Sequence, residues 1–224
     1  MKNRLNQAFT LIELLVVITI IAILASLSMP VFSTIQEKAN ITKGISNARQ
    51  LILAIKVYAS DNEGAYPEGS DANEAFIELV KSEIITTEAV FGCPASSVGK
   101  PDGDIGTKDD DFARACEDNE NHWEMTSGLN DSSPGNYPLV WENSDTETWD
   151  PSWDRDAAGT SDKGRTWSGG KVIVGINDNS VKTYKTDDSG KIKPPKGGST
   201  NIFSSVPATL TVLKTRGSGG GTSS

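Results

Sequence analysis

Glu13 is the residue whose placement most calls for chemistry. It is the single carboxylate in the stretch Phe9 to Phe32, FTLIELLVVITIIAILASLSMPVF, which is almost wholly apolar from Leu14 to Leu27. An ionised side chain in a membrane helix costs about 2.5–3.5 kcal/mol on insertion scales, so such a group usually has a partner and a task. Glu13 lies one helical turn from Phe9. A second candidate is the loop PDGDIGTKDDD, Pro101 to Asp111, where Asp102, Asp104 and Asp109 stand among glycines. Calcium takes six to eight oxygen ligands, and such loops suit it. No twelve-residue calcium-loop pattern is present, however, and a solvated acidic loop is the competing reading. Carboxylates within Asp109–Asp111 and Glu117–Glu120 offer in principle a pair for glycoside hydrolysis. No nucleophile elbow, phosphate loop or metal cluster accompanies them, and the expectation is that the chain is not an enzyme.

These residues need elements to hold them. A bilayer core of roughly 30 Å is spanned by about 20 apolar helical residues, so the stretch 9–32 is long enough to cross. The segment before it, MKNRLNQA, is positive through Lys2 and Arg4. Positive flanks stay cytoplasmic, which sends the C-terminal part outward. An ordinary secretory signal is the alternative reading, with Ser26 and Ser28 as small residues before a cut at Met29 and no filament to follow. Against it stand the glutamate near the start of the apolar run and Pro30 second after that cut.

A short basic leader, a small residue, FTLIELL and an apolar run ending in Pro30 together resemble the signal of type IV pilins and type II secretion pseudopilins. The resemblance implies cleavage by a prepilin peptidase between Ala8 and Phe9 and methylation of the new amine. Ala8 stands where that family usually has glycine. The resemblance also implies that Glu13 pairs with a neighbouring subunit's amine to set register, and that Pro30 breaks the N-terminal helix. Opposite charges attract strongly in a low-dielectric setting, which agrees with this reading, whereas snorkelling of Glu13 to the interface would need no partner. The run Leu51 to Pro67, LILAIKVYASDNEGAYP, is similar to the helix end and Tyr-Pro loop of type II secretion major pseudopilins. Implied partners are other pilin or pseudopilin subunits, the peptidase and an inner-membrane assembly platform. The implied location is the bacterial inner membrane, single-pass with the head outside, and then a filament.

The chain has 224 residues and a formal charge of −9, which the loss of Lys2 and Arg4 with the leader takes two units further, to −11. An acidic head has no electrostatic route to nucleic-acid backbones. Cys93 and Cys116 both fall on the exported side, where a disulfide worth about 3 kcal/mol is the natural expectation; two unrelated thiols are the alternative.

Past Pro30, the residues Ile41, Ile45, Ala48, Ile52, Ile55 and Ala59 form one apolar stripe. The helix is expected to run from 9 to 60, roughly 75 Å, bent or loosened at Pro30 and stopped by DNEG. Asp71 and Glu74 form a capping box for a short helix that buries Phe76, Leu79 and Val80. Strands are expected at Tyr137–Glu142, at Lys171–Ile176 and Val181–Lys185 around an NDNS turn, and at Ala208–Leu213. The five tryptophans, all between Trp123 and Trp167, read as a small core or as a glycan- or partner-binding face. The fold class is therefore α+β, with a long N-terminal helix packed on a small antiparallel sheet. The organisation is a leader (1–8), a helix (9–60, membrane-spanning over 9–32), a head (61–215) with a loop-rich acidic insert (91–167), and a flexible tail (216–224).

Overall fold

The computed structural model describes residues 10–94, 99–146, 148–155, 166–204, 206–207 and 209–216, without the side chains of 28–31. Its contacts fall into two compact units, Met1–Ala39 and Asn40–Ser224. Helix α1 (Leu11–Asp61) begins in the first and ends in the second. Up to Leu27 its described side chains are exposed all round, as expected of a helix whose apolar residues have no protein to bury against. It is long and apolar enough to cross a membrane. The helix continues through Pro30 rather than breaking there. A proline removes one backbone bond, and well-formed turns on both sides can carry the helix across.

In the second unit the stripe does what its spacing predicts. Ala48, Ile52, Ile55 and Ala59 are buried together with Leu51, while Ile41 and Ile45 pack at the margin. The helix stops where the chain turns left-handed at Glu63 (φ 55°) and Gly64 (φ 86°), and the Gly64 amide donates back to the Ala59 carbonyl at 2.8 Å. Glycine adopts that conformation without steric penalty. Helix α2 (Ala72–Lys81) is capped by Asp71, which accepts the Glu74 amide at 2.8 Å. Glu74 reaches back to the Ser70 amide and hydroxyl rather than to the Asp71 amide. Phe76 of α2 stacks on Phe91 with ring centroids 5.7 Å apart.

Five strands form one antiparallel sheet: β1 (Trp123–Ser127), β2 (Pro138–Glu142), β3 (Lys171–Ile176), β4 (Val181–Lys185) and β5 (Thr211–Leu213), in the order β4-β3-β2-β1-β5. Both faces are covered. Ile173, Trp123 and Met125 join the core formed with α1 and α2, while Trp141, Val172 and Val174 join Trp153, Ile192 and Phe203 in a second core on the other face. The tryptophans therefore build cores: Trp123, Trp141, Trp153 and Trp167 are buried, and Trp149 packs edge-on against Trp141. The loop-rich segment 91–167 supplies both β1 and β2, and the last strand is shorter than the Ala208–Leu213 run.

The helix packs close to the sheet at Gly44 and Gly175. A Cβ on Gly175 would overlap Ile52 Cδ1 and lie 3.2 Å from Val140 Cγ2. Overpacking of this kind costs about 1–3 kcal/mol. Gly175→Ala should lower the thermal unfolding midpoint accordingly. Ser132→Ala, an exposed loop change, should leave it unmoved in the same assay.

Candidate functional site

Two places collect the residues singled out by type and spacing. The first is the start of α1. Thr10 and Glu13 form a reciprocal cap: Glu13 Oε2 accepts the Thr10 amide at 2.9 Å and the Thr10 hydroxyl at 2.6 Å, and the Glu13 amide donates to Thr10 Oγ1 at 3.3 Å. Helix N-termini leave unsatisfied amides, and a Thr-x-x-Glu cap supplies acceptors for two of them. Glu13 is thus held at the helix start, exposed, beside residues that carry no other charge as far as Gln36. Ala8 and Phe9 lie outside the described residues, and so does the pairing of Glu13 with an amine at Phe9.

The second place is in the head. Glu88, Asp102 and Glu120 bring one carboxylate oxygen each within 4.8 Å of one another. Glu88 is fully buried, and its oxygens accept the amides of Cys116 and Gly103, each at 3.0 Å. Glu120 accepts the amides of Asp102 at 3.2 Å and Glu117 at 3.1 Å. None of the three is in an ion pair among the described residues. Burial raises the carboxyls of Glu88 and Glu120 above the ordinary range, and their mutual repulsion adds to it for Glu120. Hard, anionic oxygens that converge in this way suit a divalent cation of the calcium type.

Of the three loop aspartates, only Asp102 joins this group. Asp104 is taken by Arg114, whose Nη1 lies 2.5 Å from its Oδ2, and by the Gly106 amide. Asp109 sits exposed in the short 3-10 turn Lys108–Asp110. Glu88 and Glu120 were not legible as partners because they lie 14 residues before and 18 residues after Asp102. Their one signal was acidic residues at positions that the fold buries.

Cys93 and Cys116 are not joined in this structure; both are buried thiols. Each faces a different carboxylate. Cys93 Sγ donates to Glu142 Oε1 at 2.9 Å, while the Cys116 amide is held by Glu88. Burial pushes the Cys116 thiol well up. His122 is a packing residue whose Nδ1 accepts the Cys93 amide at 2.8 Å, and burial lowers its basicity.

The prokaryotic N-terminal methylation motif matches residues 3–29, a span that includes Ala8, Phe9 and Glu13 and stops one residue short of Pro30. Three curated relatives are similar to parts of the chain. The type IV major fimbrial protein FimA of Dichelobacter nodosus is 27% identical over 65% of this chain and 86% of its own length. Core protein G of the type II secretion system of Pseudomonas aeruginosa is 33% identical over 35% of this chain and 54% of its own. The type IV major pilin protein PilE1 of Neisseria gonorrhoeae is 36% identical over 45% of this chain and 47% of its own. The chain is pilin-like. It spans most of the fimbrial protein but only about half the length of the other two relatives. No solved structure matches it. The pilin-like features are the methylation motif, the long apolar helix and the small antiparallel sheet.

Strand β1 carries an ion pair whose carboxylate is buried. Glu124 of β1, 1% exposed, accepts from Lys214 at 2.9 Å, from Trp141 Nε1 at 2.6 Å and from the Ser144 amide at 2.8 Å. Burial pushes its carboxyl up, and Lys214 pulls it back. Removing one member of a buried pair costs about 3–5 kcal/mol because the other charge is left uncompensated. Lys214→Met should therefore lose about that much in denaturant unfolding. The double variant with Glu124→Gln should recover part of the loss.

Proposed function

We propose that this chain is a filament subunit whose precursor is cut between Ala8 and Phe9 by a prepilin peptidase, methylated on Phe9 and assembled into a type II secretion pseudopilus or a type IV pilus-like filament. The observation that carries this reading is the methylation motif over residues 3–29, with Glu13 five residues after Ala8 and an apolar helix behind it. The first 32 residues, less the leader, would insert in the inner membrane with the head outside. On extraction, Glu13 would give up its contact with Thr10 or share it, and pair with the Phe9 amine of a neighbour. Removing either partner of such a pair in a dry filament core strands a charge. The role is assembly, and the partners are other subunits, the peptidase and a membrane platform.

Mass spectrometry of the mature N-terminus, in cells with and without the peptidase, tests the reading. A chain that begins at methylated Phe9, and only when the peptidase is present, is the expected result; a start at Met29 would instead mean an ordinary secreted protein. Glu13→Gln should leave processing intact, abolish filaments seen by electron microscopy and leave processed subunits in the membrane.

A second role belongs to the head. The convergence of Glu88, Asp102 and Glu120 supports a calcium site, in which these three side chains would hold the ion and tie the acidic loop to the rest of the head. Millimolar calcium should raise the unfolding temperature of the full chain in detergent, and Glu88→Gln should weaken binding at least tenfold in calorimetric titration. Heat release unchanged by Glu88→Gln would assign binding to other acids.

A further inference from the structure

Glu142 is the last residue of β2, fully buried, and nothing in the filament role uses it. Its carboxyl is met by three donors from three segments. Oε1 accepts from Cys93 Sγ at 2.9 Å and from Trp167 Nε1 at 2.6 Å, and Oε2 accepts the Ile173 amide at 2.8 Å. Its own carbonyl accepts from Trp153 Nε1 at 3.1 Å. The residue thus fastens the Cys93 loop, the Trp167 turn and β3 to the middle of the sheet.

Its neighbour on β1 provides an internal contrast. Trp123 pairs with Glu142 and Glu124 with Trp141, so the two glutamates lie on opposite faces of the sheet. Glu124 has Lys214 beside it; Glu142 has no ion pair among the described residues. Among the described residues, the titratable groups on the loops around Glu142 are Cys93 itself and His122, which accepts the Cys93 amide and whose basicity burial lowers. From β3, the contact is a backbone amide.

Such a carboxyl has two workable states. Ionised, it has three donors but no charge to offset its burial, which is costly. Neutral, it avoids that penalty but needs an acceptor for its proton, and an indole N–H and a backbone amide can only donate. The Cys93 sulfur can accept as well as donate. We propose that Glu142, Cys93 and Trp167 form a proton-operated latch in the head: protonated, Glu142 donates to Cys93 Sγ and the segments close without a buried charge. When it gives the proton to water the thiol turns to donate, all three donors meet the carboxylate, and the unpaired buried charge draws water in and loosens the latch.

Burial pushes the Glu142 carboxyl up to about 7. A group raised in the folded state from an ordinary value of 4.5 contributes stability that is fully present below pH 4.5 and is lost as pH rises through about 7. For the full chain in detergent, the unfolding temperature should fall on the order of 5–10 °C between pH 5 and pH 8. Glu142→Gln, which mimics the neutral acid, should remove more than half of that fall; an undiminished fall would overturn the proposal. Where that variant does not fold, the indole N–H resonance of Trp167 in the wild-type chain, assigned through Trp167→Phe, should shift with a midpoint near pH 7. A resonance flat over this range would also overturn it. Cys93→Ser, with a hydroxyl that both donates and accepts, should keep the titration, and Cys93→Val should displace its midpoint. A midpoint unmoved by Cys93→Val would remove the thiol from the latch and overturn the proposal in this form.

Discussion

The rest of the head depends on the burial of one helical stripe. Leu51, Ile52 and Ile55 of α1 are fully enclosed, and a buried aliphatic side chain of this size contributes about 1.5–3 kcal/mol. A helix cannot cover its own stripe. The sheet must lie across it, and at Gly44 and Gly175 side chains are kept small so that helix and strand can approach. The other face of the sheet, left apolar by Val172, Val174 and Trp141, then needs a cover of its own. Trp149 and Phe203 provide it with edge-to-face ring contacts, and Trp153 with a tilted one against Phe203. The tryptophan-rich insert is a consequence of that second face, which is why its rings are spent on packing rather than offered to a ligand.

A sheet buried on both sides limits what its polar residues can do. Glu124 and Glu142 lie on opposite faces of the sheet, and because both faces are covered neither reaches water. Each is satisfied by an indole N–H and a backbone amide, and they differ in the third partner: a lysine for one, a thiol for the other. The same accounting explains the two cysteines. Each packs against a buried acid in a different part of the core, and the segments that a disulfide would have tied are held by hydrogen bonds to those acids. Asn73 does comparable work for the C-terminal stretch: it donates to the Cys116 carbonyl and accepts from Asn121 and from the Arg216 amide.

The long helix, its stripe, the β3–β4 hairpin and the α+β class were legible because each follows a local period or turn signal. Residues 123–127 were not. The run WEMTS alternates weakly, and its Glu and Thr read as solvent-facing until Lys214 and the Pro138 carbonyl are known to meet them. The acidic group was half legible, since Asp102 stands in a conspicuous loop while its partners come from segments that only the fold brings near. Asp104 looked equivalent to Asp102 in sequence; Arg114, ten residues on, separates them. Contacts of this range follow from topology, and no window of neighbouring residues contains them.

The two halves of α1 are governed by different solvents, and this accounts for the division of labour along the chain. Up to Leu27 the helix is apolar on every face and exposed, a composition that water penalises and a bilayer or a bundle of like helices rewards. From Ala48 onward it is amphipathic and already covered within its own unit. The first half is therefore left with unspent apolar surface and a single carboxylate at its start, whereas the second half buries its stripe and leaves Leu53 and Val57 partly exposed. Among the described residues, the two cores that hold the head draw on nothing before Ile41. The acidic group at Asp102 and the interior acid at Glu142 both lie in the second of the two compact units.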